Sequence, residues 1–424
     1  MMRNFLFIAM LLCLTIAKAQ YVTIPDTNFV SFLQKNYPTS MKGNQLDTTN
    51  QNILNANYLL ISYKSIKSLE GLQYFKNLKV LYCDYNLLTE LPPLPNTLTK
   101  LSCSNNKLTT LPNLPNSLTK LDCSVNMLTT LPYLPNNLAD LSCYSNLLTA
   151  LPNLPNTLTI LWCSWNTLNM LPALPHSLTS LDCISNKLTA LPNLPNNLTD
   201  LGCSSNMLTA LPSLPNSLTS LNCISNKLTA LPNLPNNLTD LDCSYNMLTA
   251  LPSLPNSLTK LDCSVNMLTT LPSLPNNLAD LSCHSNSLTA LPNLPNTLTQ
   301  LWCSSNQLKV LPNLPKSLES LSCYFNELIS LPTLPGSLTF LWCQFNQLTT
   351  LIALPNSLTD LDCSSNQLTQ LEIPYDLLNS CKIDASYNKI HCVSSLSNKI
   401  VELNLAYNNL SCVPNYITAM DPLL

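Results

Sequence analysis

The sequence is poor in charged residues, arginine, glycine and histidine. Only 10% of its 424 residues are charged, and 19 Lys and Arg against 22 Asp and Glu give a net charge of −3. Nucleic-acid binding requires a basic surface, so we expect no nucleic-acid partner. Arg3 is the only arginine, and the four glycines form neither a P-loop nor a GxGxxG motif. The three histidines are too scattered for a histidine-based metal site, whereas the 46% hydrophobic fraction is ample for a core.

Residues 1–19 are predicted to be a secretory signal peptide. Arg3 supplies the positive charge, residues 5–16 are apolar, and residues 17–19 (Ala-Lys-Ala) form an A-x-A cleavage site. The apolar stretch is too short to cross a membrane as a helix, and no later apolar run is long enough. Cys13 leaves a lipoprotein anchor as an alternative, but Leu12 before it is not the small residue that such a site needs. We therefore expect a secreted or cell-surface protein without a membrane span.

From residue 81 the chain repeats every 20 residues. Position 3 of each unit is cysteine from Cys83 to Cys363, and position 6 is asparagine from Asn86 to Asn366, which gives fifteen units. A fixed period of this length predicts a solenoid. The alternation Leu-x-Cys predicts a short strand, and stacked units join these strands into one parallel sheet. The following Leu-Pro-x-Leu-Pro segment excludes helix and favours an extended, polyproline-like return on the opposite side.

Each position of the unit has an expected role. Leucine at positions 1, 8, 11, 14 and 18 and cysteine at position 3 predict six inward side chains. The position-6 amide is expected to bond backbone groups in the turn that follows the strand. Positions 20, 2, 4 and 5 are expected to project from the sheet or its edge. Many surface positions are serine or threonine, which would offer uncharged hydrogen-bonding groups to a ligand.

The unit resembles the leucine-rich repeat of the short bacterial class. Leu98, Leu101, Cys103, Asn106 and Leu108 match the motif LxxLxLxxNxL, with cysteine in place of the third leucine. The resemblance implies a horseshoe with a concave parallel β-sheet, an extended convex side and little helix. The Leu-Pro-x-Leu-Pro return is similar to that of injected bacterial effectors, which often carry a ubiquitin-ligase domain for which no residues remain here. The cysteine variant and the opening at residues 24–29 look more like secreted leucine-rich repeat proteins of Bacteroidetes-type bacteria.

The ends of the chain depart from the repeat. We predict a signal peptide at 1–19, an N-terminal cap with a short helix at 20–56, an irregular first repeat at 57–80, fifteen repeats at 81–380, two divergent repeats at 381–412 and a C-terminal tail at 413–424. Asp26 is expected to cap the helix of the N-terminal cap, which Pro38 would end. No sorting domain of the kind that similar secreted proteins carry is visible, so the chain is either a fragment or exported by the signal peptide alone.

Fifteen cysteines share one inward position in successive units. A disulfide needs Cβ atoms about 3.8 Å apart and pointing together, whereas stacked strands lie about 4.8 Å apart with parallel side chains. We therefore expect a ladder of buried, reduced thiols. A metal-binding ladder lacks CxxC or paired histidines, and His284 next to Cys283 should face the opposite side. Outside the ladder one disulfide is possible, between two of Cys381, Cys392 and Cys412.

All four tryptophans fall at positions 2 or 5 of their units, where they join two aromatic patches. The first patch is Tyr144, Trp162 and Trp165, and the second is Trp302, Tyr324, Phe325, Phe340, Trp342 and Phe345. Exposed aromatic clusters are typical of binding surfaces, although such rings also stack on their neighbours along a sheet. Between the patches lies an acidic stretch, interpreted as a solubilising surface rather than a calcium site: Asp182, Asp200, Asp240, Asp242, Asp262 and Asp280.

These features favour recognition over catalysis. The sequence shows neither a carboxylate pair in an apolar pocket nor a Ser-His-Asp arrangement, and we expect no cofactor or metal. The leading hypothesis is a secreted, non-enzymatic protein whose strand surface binds an extracellular protein. A glycan-binding module, in which the aromatic rings stack on sugars, is the first alternative. A structural surface spacer without a specific ligand is the second.

Overall fold

A computed structural model describes residues 20–351, 353–393 and 396–412. The predicted signal peptide and C-terminal tail lie outside the described residues. The chain divides into two compact units, Met1–Leu178 and Thr179–Leu424. Each is a parallel β solenoid with little helix, which confirms the predicted fold class. Among the described residues no helix is long and apolar enough to cross a membrane.

The N-terminal cap contains two α-helices, α1 (Thr27–Asn36) and α2 (Gln51–Leu54), and a 3₁₀ turn at Pro38–Ser40. An antiparallel sheet in the order β1-β3-β2 accompanies them, with β1 at Tyr21–Thr23, β2 at Met41–Lys42 and β3 at Gln45–Asp47.

Asp26 is the N-cap of α1, as predicted, and it accepts a hydrogen bond of 2.8 Å from the Phe29 amide. Its other oxygen accepts one of 2.7 Å from the Lys67 amide. This carboxylate therefore joins the cap to the irregular first repeat. The helix ends before Pro38, and Phe29 and Leu33 on its inner side are buried.

The solenoid strands of the first unit pair in parallel with leucine beside leucine. A second 3₁₀ turn lies at Leu72–Tyr74 between the first two strands. The strands are β4 (Tyr58–Leu60), β5 (Val80–Tyr82), β6 (Lys100–Ser102), β7 (Lys120–Asp122), β8 (Asp140–Ser142) and β9 (Ile160–Trp162). Within the repeats each strand spans positions 20, 1 and 2.

The second unit continues the same pattern over twelve parallel strands, and a separate parallel pair lies beside its last repeats. The twelve are β10 (Ser180–Asp182), β11 (Asp200–Gly202), β12 (Ser220–Asn222), β13 (Asp240–Asp242), β14 (Lys260–Asp262), β15 (Asp280–Ser282), β16 (Gln300–Trp302), β17 (Ser320–Ser322), β18 (Phe340–Trp342), β19 (Asp360–Asp362), β21 (Cys381–Asp384) and β23 (Ile400–Asn404). The separate pair is β20 (Gln370–Leu371) and β22 (Cys392–Val393).

The core is built from positions 1, 3, 8 and 18, which are buried in each repeat from residue 81 to 368. Position 14 departs from the prediction. Leu114 and most of its equivalents are only half-buried, whereas the proline that follows, such as Pro115, is buried. The reason is a tight turn in which the Leu118 amide donates to the Pro115 carbonyl over 3.0 Å. The first and last residues of this turn both face the core.

The position-6 asparagines form a ladder that joins each unit to the one before it. Asn226 donates through Nδ2 to the carbonyls of Cys223 and Cys203, both at 3.1 Å, and its Oδ1 accepts from the Leu208 amide at 3.0 Å. The predicted role in the turn is confirmed. The bonds across units were not anticipated, and they make the asparagine a contact between repeats as well as within one.

Serine and threonine form two further ladders on the return side. Ser257 Oγ at position 17 donates to the Leu238 carbonyl over 2.6 Å, and Thr259 Oγ1 at position 19 donates to the Thr239 carbonyl over 3.0 Å. These hydroxyl protons are therefore committed to the stacking of units. The surface is less free to donate hydrogen bonds to a ligand than its composition suggests.

Position 5 adopts a left-handed backbone conformation in every repeat. From Tyr85 to Ser365 the φ angle at this position is 50–55°. Residues with a Cβ atom rarely take this conformation, and β-branched residues such as Val125 and Val265 take it least readily. The turn after the strand therefore imposes this geometry regardless of the side chain present.

Replacement of Asn226 by alanine should lower the free energy of unfolding by about 3 kcal/mol. The substitution leaves the Leu208 amide and two cysteine carbonyls without their partner in a buried setting. Urea unfolding followed by circular dichroism measures the change. The matched control is exposed Asn236, whose replacement by alanine should change the value by less than about 0.5 kcal/mol. An equal effect at both positions would contradict the role of the ladder.

Candidate functional site

The strand surface consists of the outward positions 20 and 2 of the parallel strands, with positions 4 and 5 at its edge. Position 5 is exposed or partly exposed, and Trp165 has 64% of its surface accessible. The expectation for position 4 is wrong wherever that residue is serine. Ser264 is buried because its Oγ donates to Asp262 Oδ1 over 2.6 Å, and Ser124 is buried against Ser142 Oγ at 2.7 Å. A side chain at position 2, from the same unit for Ser264 and from the next unit for Ser124, thus covers the serine at position 4.

The first aromatic patch is a set of separate exposed rings. Tyr144, Trp162 and Trp165 are all exposed, and in the described part of the chain none of these rings stacks on another. Partial burial and the nearby carboxylate of Asp122 raise the pKa of the Tyr144 hydroxyl.

The second aromatic patch splits into two parts, of which one is a stack at position 5. The Phe325 and Phe345 rings are parallel with centroids 4.2 Å apart, and Tyr324 meets Phe325 edge-on at 5.8 Å. The pairs Tyr63–Tyr85 and Tyr387–Tyr407 stack in the same way, at 4.3 Å. Stacking between left-handed residues of adjacent units thus recurs along the chain, which favours a structural role for Phe325 and Phe345.

The other part is a tryptophan pair on the strand surface. Trp302 on β16 and Trp342 on β18 meet edge to face, with ring centroids 5.8 Å apart and an interplanar angle of 82°. They meet across Ser322 on the intervening strand, which is 1% exposed. Trp342 Nε1 donates to Asp360 Oδ1 over 2.8 Å. This bond fixes the orientation of one ring, so the pair is held in place before any ligand arrives.

A groove of about 290 Å³ opens beside the tryptophan pair. It is lined by Gln300, Trp302, Glu319, Ser320, Thr339, Phe340 and Trp342. The depression exists because β17 carries serine at both outward positions, whereas β16 and β18 carry large side chains at the same register. The sequence contains this signal, in small residues flanked by large ones 20 residues away on both sides, but it becomes visible only when the units are aligned.

The acidic stretch contains an internal counter-charge. Asp240, Lys260 and Asp280 are neighbours in register on β13, β14 and β15. Asp242 Oδ1 is occupied by the amide and hydroxyl of Ser244. Burial raises the pKa of the Asp242 and Asp280 carboxyls, with Asp262 adding to the increase at both. Among the described residues no group of three acidic, histidine or cysteine side chains is arranged to hold a metal ion.

A second groove at the N-terminal end was missed in the sequence analysis. It measures about 450 Å³ and lies between α1 and the start of the solenoid, lined by Asn28, Ser31, Phe32, Lys35, Asn36, Leu60 and Lys64. Nearby Tyr58 and Tyr63 are 62% and 69% exposed. The alternation of Tyr58 and Leu60 on one side of β4 is the signal that could have indicated it.

The cysteine ladder is a row of reduced, buried thiols. From Cys83 to Cys363 none of the fifteen forms a disulfide, and all are inaccessible. Some donate weakly to the next unit, as Cys83 Sγ does to the Ser102 carbonyl at 3.3 Å. Burial is the main cause that raises the thiol pKa, to about 12 at Cys323. Neutral thiols of this kind are poor nucleophiles and poor metal ligands.

The structure shows which two of the three C-terminal cysteines form the disulfide that the sequence left open. Cys392 and Cys412 form a disulfide with Cα atoms 4.9 Å apart, whereas Cys381 is a free thiol. The bridge joins β22 to the residues that follow the last repeat. It therefore closes the C-terminal end of the second unit.

Comparison with known proteins shows that this architecture occurs in other solved structures. No protein-family model matches the chain, and no curated protein matches it. Among solved structures, YopM from Yersinia enterocolitica WA-314 is 35% identical over 86% of this chain and 90% of that chain, with a TM-score of 0.73. YopM from Yersinia pestis, described as a leucine-rich effector protein, is 38% identical over 72% and 87%, with a TM-score of 0.66.

A third structure shares the cysteine feature. The functional domain of InlJ from Listeria monocytogenes, described as including a cysteine ladder, is 27% identical over 83% of this chain and 77% of that chain, with a TM-score of 0.64. The fold and the strand surface thus define a solenoid of short repeats. The chain belongs to the leucine-rich repeat family, as the motif in its sequence indicated.

The buried thiols predict an alkaline loss of stability. Folded thiols such as Cys243 keep their protons well above the ordinary pKa of 9.0, whereas thiols of the unfolded chain lose them there. Above pH 9 the folded state binds more protons, so the free energy of unfolding falls with rising pH, by about 1.4 kcal/mol per pH unit for each thiol. Urea midpoints between pH 7 and 10.5 measure this fall.

A variant with alanine at Cys203, Cys223, Cys243 and Cys263 is the control for other titrating groups. Its urea midpoint should fall less steeply above pH 9 than that of the parent protein, because four thiols no longer contribute. Equal slopes in the two proteins would contradict the assignment to the ladder.

Proposed function

We propose that this protein is a non-enzymatic recognition protein that binds another protein on its strand surface. The groove beside Trp302 and Trp342 is the proposed anchor site. The observation that carries the proposal is the fixed tryptophan pair, because aromatic side chains held in place at a half-buried groove are typical of binding hot spots. Solenoids of stacked repeats also provide the extended surfaces that protein recognition uses.

The distribution of reactive groups supports a role without catalysis. The strongly raised pKa values in the described residues belong to the buried thiols, which lie inside the core and away from the groove. Glu319 in the groove lies beside neutral polar residues and aromatic rings. This arrangement suits the holding of a ligand rather than the transfer of a proton.

A glycan is the second candidate ligand. Gln300, Ser320 and Thr339 place polar groups directly beside the aromatic rings of the same groove. Stacking of a sugar on a ring with hydrogen bonds at its edge would use this combination. The protein ligand is preferred because the groove lies on an extended strand surface.

We also propose that the protein is exported and is a relative of the secreted leucine-rich repeat proteins of Bacteroidetes-type bacteria. Export is supported by the signal peptide expected at 1–19 and by the Cys392–Cys412 disulfide, a bond that persists in oxidising compartments. N-terminal sequencing of the product from cells that express the full chain should begin at Gln20. Retention of Arg3 in the product would contradict export by this signal.

The recognition proposal is tested by tryptophan fluorescence of the purified chain, titrated with secreted proteins and with soluble polysaccharides. We expect a saturable change with a protein. For that protein the Trp302→Ala/Phe340→Ala variant should bind at least about tenfold more weakly by biolayer interferometry, because it removes the anchor. The matched control is Trp162→Ala/Trp165→Ala, which removes exposed rings from the first patch and should bind normally.

The other outcomes each reject the proposal. A saturable response confined to polysaccharides would assign the groove to a glycan. The absence of any response in both sets would favour a spacer without a specific ligand. Equal affinity of the groove variant and the parent protein would place the binding surface elsewhere.

A further inference from the structure

We infer that the groove beside Trp302 and Trp342 receives the cationic side chain of an arginine or lysine from the partner protein. The inference rests on the proposed function and specifies the chemistry of the partner. Three features of the groove and its surroundings lead to it: aromatic walls, a carboxylate at the rim, and a strand surface whose nearest lysines have acidic neighbours.

The aromatic walls suit a cation. Trp302, Phe340 and Trp342 line one groove, so a charged group that enters it comes within reach of at least one ring face. A guanidinium or ammonium group is attracted to such a face when it lies within about 6 Å of the ring centroid, most strongly to tryptophan. The indole N–H of Trp342 is already bonded to Asp360, so that ring presents its π-surface to a ligand rather than a donor.

One carboxylate lines the groove, and two more lie on the strands that flank it. Glu319 is exposed and lines it directly. On one side Asp280 lies in register with Gln300, and on the other Asp360 lies in register with Phe340. No lysine lines the groove, so a ligand with a positive charge would meet Glu319 in the groove and acidic residues on the two flanking strands, β15 and β19.

The lysines nearest to the groove along the strand surface have acidic neighbours. Lys260 lies in register between Asp240 and Asp280, and Lys382 contacts Glu402 with its Nζ 3.0 Å from the carboxylate. The net field also favours a cation, because the described residues of the second unit hold 14 Asp and Glu against 8 Lys. Among the described residues of the first unit, nine lysines exceed seven acidic residues. The attraction is therefore local to the unit that carries the groove.

The test compares two peptides that differ only in charge. Acetyl-Gly-Gly-Arg-Gly-Gly-amide and its citrulline counterpart have nearly the same shape, but citrulline is neutral. We expect the arginine peptide to change the tryptophan fluorescence of the full chain saturably and to bind at least about tenfold more tightly than the citrulline peptide. Raising the salt concentration from 0.05 to 0.5 M should weaken the binding of the arginine peptide and leave that of the citrulline peptide unchanged.

Two single-charge variants locate the effect. Glu319→Gln keeps the size of the side chain at the groove. It should lower the affinity for the arginine peptide about threefold, as the loss of an exposed ion pair does. Glu327→Gln makes the same change outside the groove lining and should leave the affinity as it was. Both variants should unfold at the same urea concentration as the parent protein.

Failure of this inference is distinguishable from failure of the proposed function. Equal affinity for the arginine and citrulline peptides, or equal affinity of the Glu319→Gln and Glu327→Gln variants, overturns the assignment to a cation. In that case a protein partner whose binding still requires Trp302 and Phe340 leaves recognition by the groove intact. If Trp302→Ala/Phe340→Ala changes neither peptide nor protein binding, both proposals are wrong.

Discussion

The stacking of units depends on one buried amide in each repeat. The position-6 asparagine, such as Asn226, holds two cysteine carbonyls from adjacent units and one leucine amide from the unit before. These groups would otherwise be buried without partners, which costs more than a hydrogen bond gains. Leucine burial drives the units together, but it is not directional. The asparagine ladder fixes their register, and the strand surface depends on that register for every side chain that it aligns.

The groove forms because the strand register aligns side chains that differ in size between adjacent units. Trp302, Ser322 and Trp342 are identical in position within their repeats, and only strict 20-residue alignment brings the two rings together over the serine. A slip of one residue would turn one of these side chains toward the core. The groove is thus a property of three adjacent units, although no single unit contains it.

The sequence predicted the repeated contacts well and the exceptions poorly. Leucine and cysteine at fixed positions predicted the buried core, and asparagine predicted the turn, because a period of 20 leaves few ways to bury them. Leu114 and its equivalents were misplaced since the Pro115 turn, rather than hydrophobicity, decides which residue points inward. Ser264 was misplaced because its hydroxyl bonds to Asp262. The groove arises between units, so a position-by-position reading of the aromatic residues could not find it.

The left-handed residue at position 5 sets a limit on how this scaffold can evolve. Val125, Trp165 and Phe325 stand in a conformation that asparagine or glycine would adopt with less strain. A consensus version with asparagine at every position 5 would be a less strained scaffold, but its edge would carry the same side chain in all units. Varied side chains on this edge therefore come with backbone strain, and the aromatic residues at position 5 show that this chain carries the varied side chains despite the strain.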